Sequence, residues 1–225
     1  MCGIIGYTGS KHNSKDAVIA GLKKLEYRGY DSAGIAVVED GKINLYKSKG
    51  KIANLEKLVE KKKIISSTGI GHTRWATHGE PNEINAHPHT SGVVTLVHNG
   101  IIENYNELKE ELISKGVKFK SNTDTEVACA YINYVYETEK DKLRALIKAT
   151  DAFRGSYAFG ILFEDEPDTI YATRKDSPLI IGVTENDENF IASDVSAILE
   201  FTNKYILLEY GEFARITKDD VEIFN

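Results

Sequence analysis

Two cysteines occur in the chain, and one of them, Cys2, directly follows the initiator methionine in "MCGIIGYT". A lone cysteine is ordinarily a small buried hydrophobe, and a second residue ordinarily belongs to a frayed end. Chemistry at Cys2 therefore needs a base and an anion-stabilising site elsewhere in the sequence. Loss of Met1 leaves the base in place, because Cys2 then carries the chain's own α-amine. A thiol of pKa ~8.5 and an α-amine of about 7.7–8.0 exchange a proton for about 1 kcal/mol, so the amine suits general-base work without a histidine. For the oxyanion, "LVHNGIIEN" offers the side-chain amide of Asn99 and the backbone N–H of Gly100, each worth roughly 3 kcal/mol in a transition state. Taken alone, Asn-Gly is only a turn.

A free amino acid as substrate would call for a bidentate arginine on its carboxylate and a carboxylate on its ammonium. Arg74 in "HTRWATHG" suits the first role and Asp124 in "SNTDTEV" the second, although Asp124 also reads as a helix cap. Trp75, the single tryptophan, is either core or a lid over a small pocket. Five of the six histidines fall between His72 and His98. Yet the chain has no Cys-x-x-Cys, no His-Glu-x-x-His and no calcium loop, so no metal is expected. The glycines of "CGIIGYTG" fit neither a dinucleotide nor a Walker loop. A Cys/His/Asn hydrolase is disfavoured because its cysteine usually lies inside the chain at a helix start, not at the head of a strand.

The elements that must hold these residues are short. "CGIIGYT" reads as a buried strand. Asn13 or Ser14 caps a helix bearing Val18, Leu22 and Leu25, with Asp16 reaching back. Asp40-Gly41 turns a hairpin between "IAVVE" and "INLYK", and Ile52, Leu55, Leu58 and Val59 mark a second helix. "GIGHTRW" is a strand leading into an irregular stretch, Ala76 to Ser91. "VVTLVH" is a strand ending at Asn99-Gly100. Helices are expected over 102–115, 124–137 and 141–153, and then six short β runs from "SYAFGILF" to "EFARI". Strands at both ends with helices gathered between them indicate an α+β fold of antiparallel sheets covered by helices.

With 225 residues, 41% of them hydrophobic, the chain suits one domain. A net charge of −6 gives no reason to bind nucleic acid. Two cysteines make no disulfide framework, which fits a reducing cytoplasm. The start lacks the charged and apolar regions of a signal peptide, no run is long enough to span a membrane, and no membrane partner is expected.

Together, "MCGIIGY", "RGYDSAGI", "HTRWATHG" and "HNGIIEN" closely resemble, in order and spacing, the class II glutamine amidotransferases among the N-terminal nucleophile hydrolases. The resemblance runs from Cys2 to the end of the chain. It implies a four-layer αββα sandwich with Cys2 as nucleophile, its α-amine as base, and Asn99 and Gly100 as oxyanion hole. It further implies that Arg74, Thr77, His78 and Asp124 bind L-glutamine, that Trp75 gates ammonia, and that Arg28 and Gly29 buttress the nucleophile, with no cofactor. "LEYRGYDSAGIAV", "HTRWATHGEPNEINAHPH" and "DSPLIIG…IASDVSAILEFT" look like the glutaminase half of the branch that makes glucosamine 6-phosphate. That branch implies a homodimeric parent whose larger fructose-6-phosphate-binding domains lie outside residues 1–225. Two other readings stay open. The branch feeding phosphoribosylamine synthesis usually has glutamine where this chain has Tyr30, and a non-catalytic docking domain would not require Cys2, Asn99, Gly100, Arg74 and Asp124 together.

Overall fold

In the computed structural model, residues 2–75, 80–185 and 187–225 are described. In chain order the elements are β1 (Gly3–Gly9), α1 (Ser14–Leu25), a 3-10 turn (Glu26–Arg28), β2 (Ser32–Glu39), β3 (Lys42–Lys49), α2 (Ile52–Glu60) and β4 (Thr68–Arg74). Next come β5 (His89–Ser91), β6 (Val94–Ile102), α3 (Tyr105–Ser114), α4 (Asp124–Glu139), α5 (Lys142–Asp151) and β7 (Gly155–Phe163). The last part adds β8 (Ile170–Lys175), β9 (Ile180–Val183), β10 (Glu188–Ala192), a second 3-10 turn (Val195–Ala197), β11 (Tyr205–Leu207), β12 (Phe213–Ile216) and β13 (Val221–Phe224).

The described strands form a seven-stranded sheet, β11-β9-β10-β1-β4-β2-β3, and a six-stranded sheet, β13-β12-β8-β7-β6-β5. All ladders between these strands are antiparallel. Successive strand residues point to opposite faces, so both faces must be covered, and the residue types show how. In β1, Ile4 joins the cluster between the sheets with Ile70, Val97, Leu162 and Ile191. Ile5 and Tyr7 face the other way, against Val18, Leu22 and Leu25 of α1 and Leu55 of α2. On the far side, Leu96, Phe159 and Ile161 meet Val127, Ile132 and Leu146 of α4 and α5. The result is the αββα sandwich, with β1 at the centre of its sheet and β6 next to the edge strand β5 of the other.

Local signals explain most boundaries. Asn13 caps α1 by accepting from the Lys15 N–H at 3.2 Å, while Asp16 is exposed beside Lys15. Asp40 and Gly41 both have positive φ, 51° and 76°, as a tight two-residue hairpin turn requires. Leu58 is 42% exposed, so α2 buries Ile52, Leu55 and Val59 only. The stretch 76–91 contains a strand, β5, paired with β6, and α3 begins at Tyr105 rather than near Ile102.

The main departure concerns β6, which runs through Asn99-Gly100 to Ile102 instead of ending there. Gly100 has φ 126°, and a Cβ at that position would sit 2.1 Å from the Ser156 carbonyl oxygen. Only glycine allows that approach, and with it the strand stays paired to β7 as far as Gly155. Asn99 and Gly100 thus sit in a rigid ladder, not a turn.

Candidate active site

Cys2 sits at the head of β1, held between neighbouring strands. The Ile4 N–H donates to Ser193 Oγ (2.9 Å) and the Ser193 N–H to the Ile4 carbonyl (3.0 Å), which pins the strand two residues from the thiol. The Trp75 N–H donates to Cys2 Sγ (3.3 Å), and the thiol faces the Trp75 carbonyl at 3.5 Å. Burial pushes the Cys2 thiol up, opposed in part by the Trp75 N–H and by Arg74. The thiol therefore keeps its proton at neutral pH and needs a base to become a nucleophile. The other cysteine, Cys129 in α4, is fully buried, its Sγ donating to the His89 and Val94 carbonyls at 3.4 Å each. Burial raises that thiol as well.

Asn99 lies on the adjoining β6. Its Nδ2 donates to the Cys2 carbonyl (3.2 Å), and its Oδ1 pairs with His72 Nε2 (3.0 Å). Cys2, Arg28, Trp75, Asn99 and Gly100 line one cleft of about 280 Å³. A smaller pocket immediately inside it is lined by Cys2, Arg74, Trp75, Gly100 and Asp124. The expected clamp residues thus meet the expected nucleophile in one space.

Sequence left Asp124 divided between clamp and cap. Thr123 is the cap of α4, its Oγ1 accepting from the Glu126 N–H, while Glu126 reaches back to the Lys120 and Ser121 N–H groups. Asp124, one residue on, accepts from the Ile102 N–H at 2.9 Å, which aims its carboxylate across β6. Arg74 is 4% exposed. Burial draws its pKa down, against the opposing charges of Asp31, Cys2 and Asp124.

Arg28 and Gly29 occupy the turn over the Arg74–Trp75 backbone. A Cβ on Gly29 would lie 2.8 Å from the Arg74 carbonyl carbon, so the position must stay bare. Thr73 Oγ1 donates to the Gly29 carbonyl, and the Asp31 N–H to the Arg74 carbonyl. Arg28 itself forms an ion pair with Asp194 at 2.5 Å, joined by the Tyr27 hydroxyl at 3.0 Å. Thr77 and His78 lie outside the described residues.

Three supporting residues escaped the sequence reading: His72, Asp194 and Ser193. The last two lie in "IASDVSA", a motif noted for its likeness but given no task. Four histidines, His72, His87, His89 and His98, are buried together, with His72 stacked on His87 at 4.1 Å. Burial lowers the pKa of each, to about 3 for His72. Among the described residues no group of His, Cys, Asp or Glu is arranged to hold a metal ion, and no described helix is long and apolar enough to cross a membrane.

Comparison with known proteins bears on the same residues. A family model for the glutamine amidotransferase domain matches residues 72–200. Over its whole length the chain is 53% identical to the glutamine–fructose-6-phosphate aminotransferase (isomerizing) of Clostridium acetobutylicum and 51% identical to that of Aquifex aeolicus. It spans only 37% and 38% of those proteins. Among solved structures, the glutamine phosphoribosylpyrophosphate amidotransferase of B. subtilis superposes with a TM-score of 0.86 at 26% identity, over 99% of this chain and 49% of that one.

Proposed function

This chain belongs to the glutamine amidotransferase domain family, and from that premise we propose that it hydrolyses L-glutamine to L-glutamate and ammonia through a γ-glutamyl thioester on Cys2. The observation carrying this is the convergence of Cys2, the Asn99-Gly100 pair and the Arg74/Asp124 charges on two adjoining pockets.

The chemistry follows from the groups present. With Met1 removed, the Cys2 α-amine takes the thiol proton and sulfur attacks the glutamine δ-carbon. Nδ2 of Asn99 and the Gly100 N–H receive the developing oxyanion. Collapse breaks the C–N bond, and the leaving amine takes the proton from the ammonium of Cys2, departing as ammonia. Water, deprotonated by the same amine, then attacks the thioester and releases glutamate. Arg74 and Asp124 hold the α-carboxylate and α-ammonium, and Trp75, 52% exposed and edge-on to Tyr30 at 6.0 Å, covers the mouth. In the longer protein the ammonia would pass to fructose 6-phosphate, as the relatives' names indicate. The unpaired thiols fit a cytoplasmic setting.

The test is intact-mass analysis after exposure to a glutamine analogue bearing an electrophilic ketone at the δ position. One adduct, mapped to Cys2 and lost on Cys2→Ala, is expected. No adduct, with the fold intact and Met1 absent, would favour a docking domain.

A further inference from the structure

Away from Cys2, the buried His72 ring pairs with the Asn99 side chain. We infer that His72 is a positioning residue which fixes the amide of Asn99, so that Nδ2 and not Oδ1 faces the nucleophile. The inference rests on the proposed oxyanion role of Asn99.

The orientation is forced step by step, starting from an atom with no choice. The Cys2 carbonyl can only accept, so the Asn99 atom 3.2 Å from it must be the nitrogen. Oδ1 of Asn99 then points the opposite way, 3.0 Å from His72 Nε2. An amide oxygen also only accepts, so Nε2 of His72 must carry a proton. A neutral imidazole has one N–H, which leaves Nδ1 as the bare nitrogen. Nδ1 is buried and makes no hydrogen bond within normal distance among the described residues. Burial holds the ring neutral far below the usual histidine range. His72 stands opposite Ile4 in the β1–β4 ladder and stacks on His87 at an interplanar angle of 27°, so its ring plane is set by the sheet and by a second ring. Nδ2 of Asn99 has two protons. One goes to the Cys2 carbonyl, and the second is the one directed to an oxyanion. Without His72 the amide can flip about its last torsion and present an acceptor to the anion.

The expected result for His72→Leu is a 10- to 100-fold fall in kcat, less than removal of a whole oxyanion donor, with KM for glutamine within about threefold. Alkylation of Cys2 by iodoacetamide, a displacement that builds no oxyanion, should keep its parent rate. Combining His72→Leu with Asn99→Ala should cost no more than Asn99→Ala alone, because the first acts through the second. Equal losses in alkylation and turnover, or fully multiplicative losses in the double variant, would overturn the inference. If Asn99→Ala costs nothing, the oxyanion assignment fails first, and the two failures are thereby told apart. The parent protein supplies an independent check should the leucine variant not fold. Long-range proton–nitrogen correlation NMR at pH 7 should show His72 neutral and protonated at Nε2; protonation at Nδ1, or at both nitrogens, sinks it.

Discussion

Behind Cys2 the cleft wall is buried and its histidines are held neutral, whereas the wall in front of it is half-exposed and charged. His72, His87, His98 and Asn99 form the rear, with His89 packed against His87, each less than a tenth exposed. Trp75 and Tyr30, both about half exposed, form the front with the Arg28–Asp194 pair. His72, His98 and Asn99 sit in the ladders of β4 and β6, and His87, between strands, accepts from the His98 N–H at 3.4 Å. Front groups come from turns and hold one another by rings and charges. Under the proposed function this difference would give a division of labour: the rear would orient donors around the reacting carbonyl, and the front would govern entry.

The sharpest way to break that division is at the nucleophile itself, where the walls meet. If the base is the α-amine of Cys2, neither wall needs to supply one. A non-cleavable extension before Cys2 should then cut glutamine hydrolysis by about 10²–10⁴-fold, the usual worth of a general base, with an unchanged circular dichroism spectrum. Full activity in the extended protein, with its mass verified, would return the base to a rear histidine.

Acid should separate the walls next. The rear histidines have folded-state pKa values below the unfolded value, so the unfolded chain binds more protons and stability rises with pH. Their burial costs nothing at pH 7.5, and the penalty opens as pH falls through about 6.5, the unfolded value. By pH 5.5 it reaches up to about 1.4 kcal/mol for each, or about 4 kcal/mol for His72, His87 and His89 together. That approaches the whole stability of a typical domain. Urea titrations at pH 7.5, 6.5 and 5.5 should show a steepening loss, relieved in part by His89→Gln. A flat profile would mean that the rear wall is wet.

The inner pocket joins both walls, and its charges should matter less than either result above. Arg74→Lys and Asp124→Asn should each raise KM for glutamine about ten- to a hundred-fold, since a charge-assisted hydrogen bond is worth ~1.5–3 kcal/mol. Lysine cannot restore a bidentate contact. Asp124→Asn should also discriminate less against α-amine-blocked glutamine than the parent does. Undiminished discrimination would leave Asp124 with a structural role, bonded to the Ile102 N–H and close to His98 Nδ1 at 3.9 Å.

How legible each part was in the sequence follows from how local its signal is. Asp40-Gly41 and Asn13 announce their turn and cap by residue type alone. Cys2 and Asn99-Gly100 were legible as chemistry, yet the strand was expected to stop at Asn-Gly. What keeps it going is the close approach of Gly100 to Ser156, a contact across β6 and β7 that no window of sequence contains. His72 appears in the sequence only within a histidine cluster that lacks a metal motif, because spacing cannot show that its ring faces an amide on a strand 27 residues away. Trp75 was weighed as core or lid by its side chain, while the atoms that meet the thiol are its backbone N–H and carbonyl. Asp194 was invisible for the same reason, lying 166 residues from Arg28.

That last pair offers the finest test of the front wall. Asp194 does two jobs: its Oδ1 accepts from the Ser196 N–H at 2.8 Å, capping the second 3-10 turn, and its Oδ2 holds Arg28 and the Tyr27 hydroxyl. Burial favours the protonated acid, but the Ser196 N–H and Arg28 outweigh it and hold the carboxyl well below the usual range. Asp194→Asn retains a good capping side chain and removes only the charge, so the turn should survive while Arg28 loses its counter-ion. Side-chain exposures of 13% and 22% place the pair between buried and surface cases, which argues for an effect of about 1 kcal/mol. Because Arg28 lines the outer cleft and not the pocket of the clamp, the loss should appear as a three- to tenfold fall in kcat/KM, with a Tm shift of only a few degrees. Salt separates this from a general loosening. Raising ionic strength should screen the parent's pair and narrow the gap between parent and variant. A gap that stays constant with salt would show that Asp194 serves the turn alone, and that the front wall is held by Tyr30 and Trp75 without the charge.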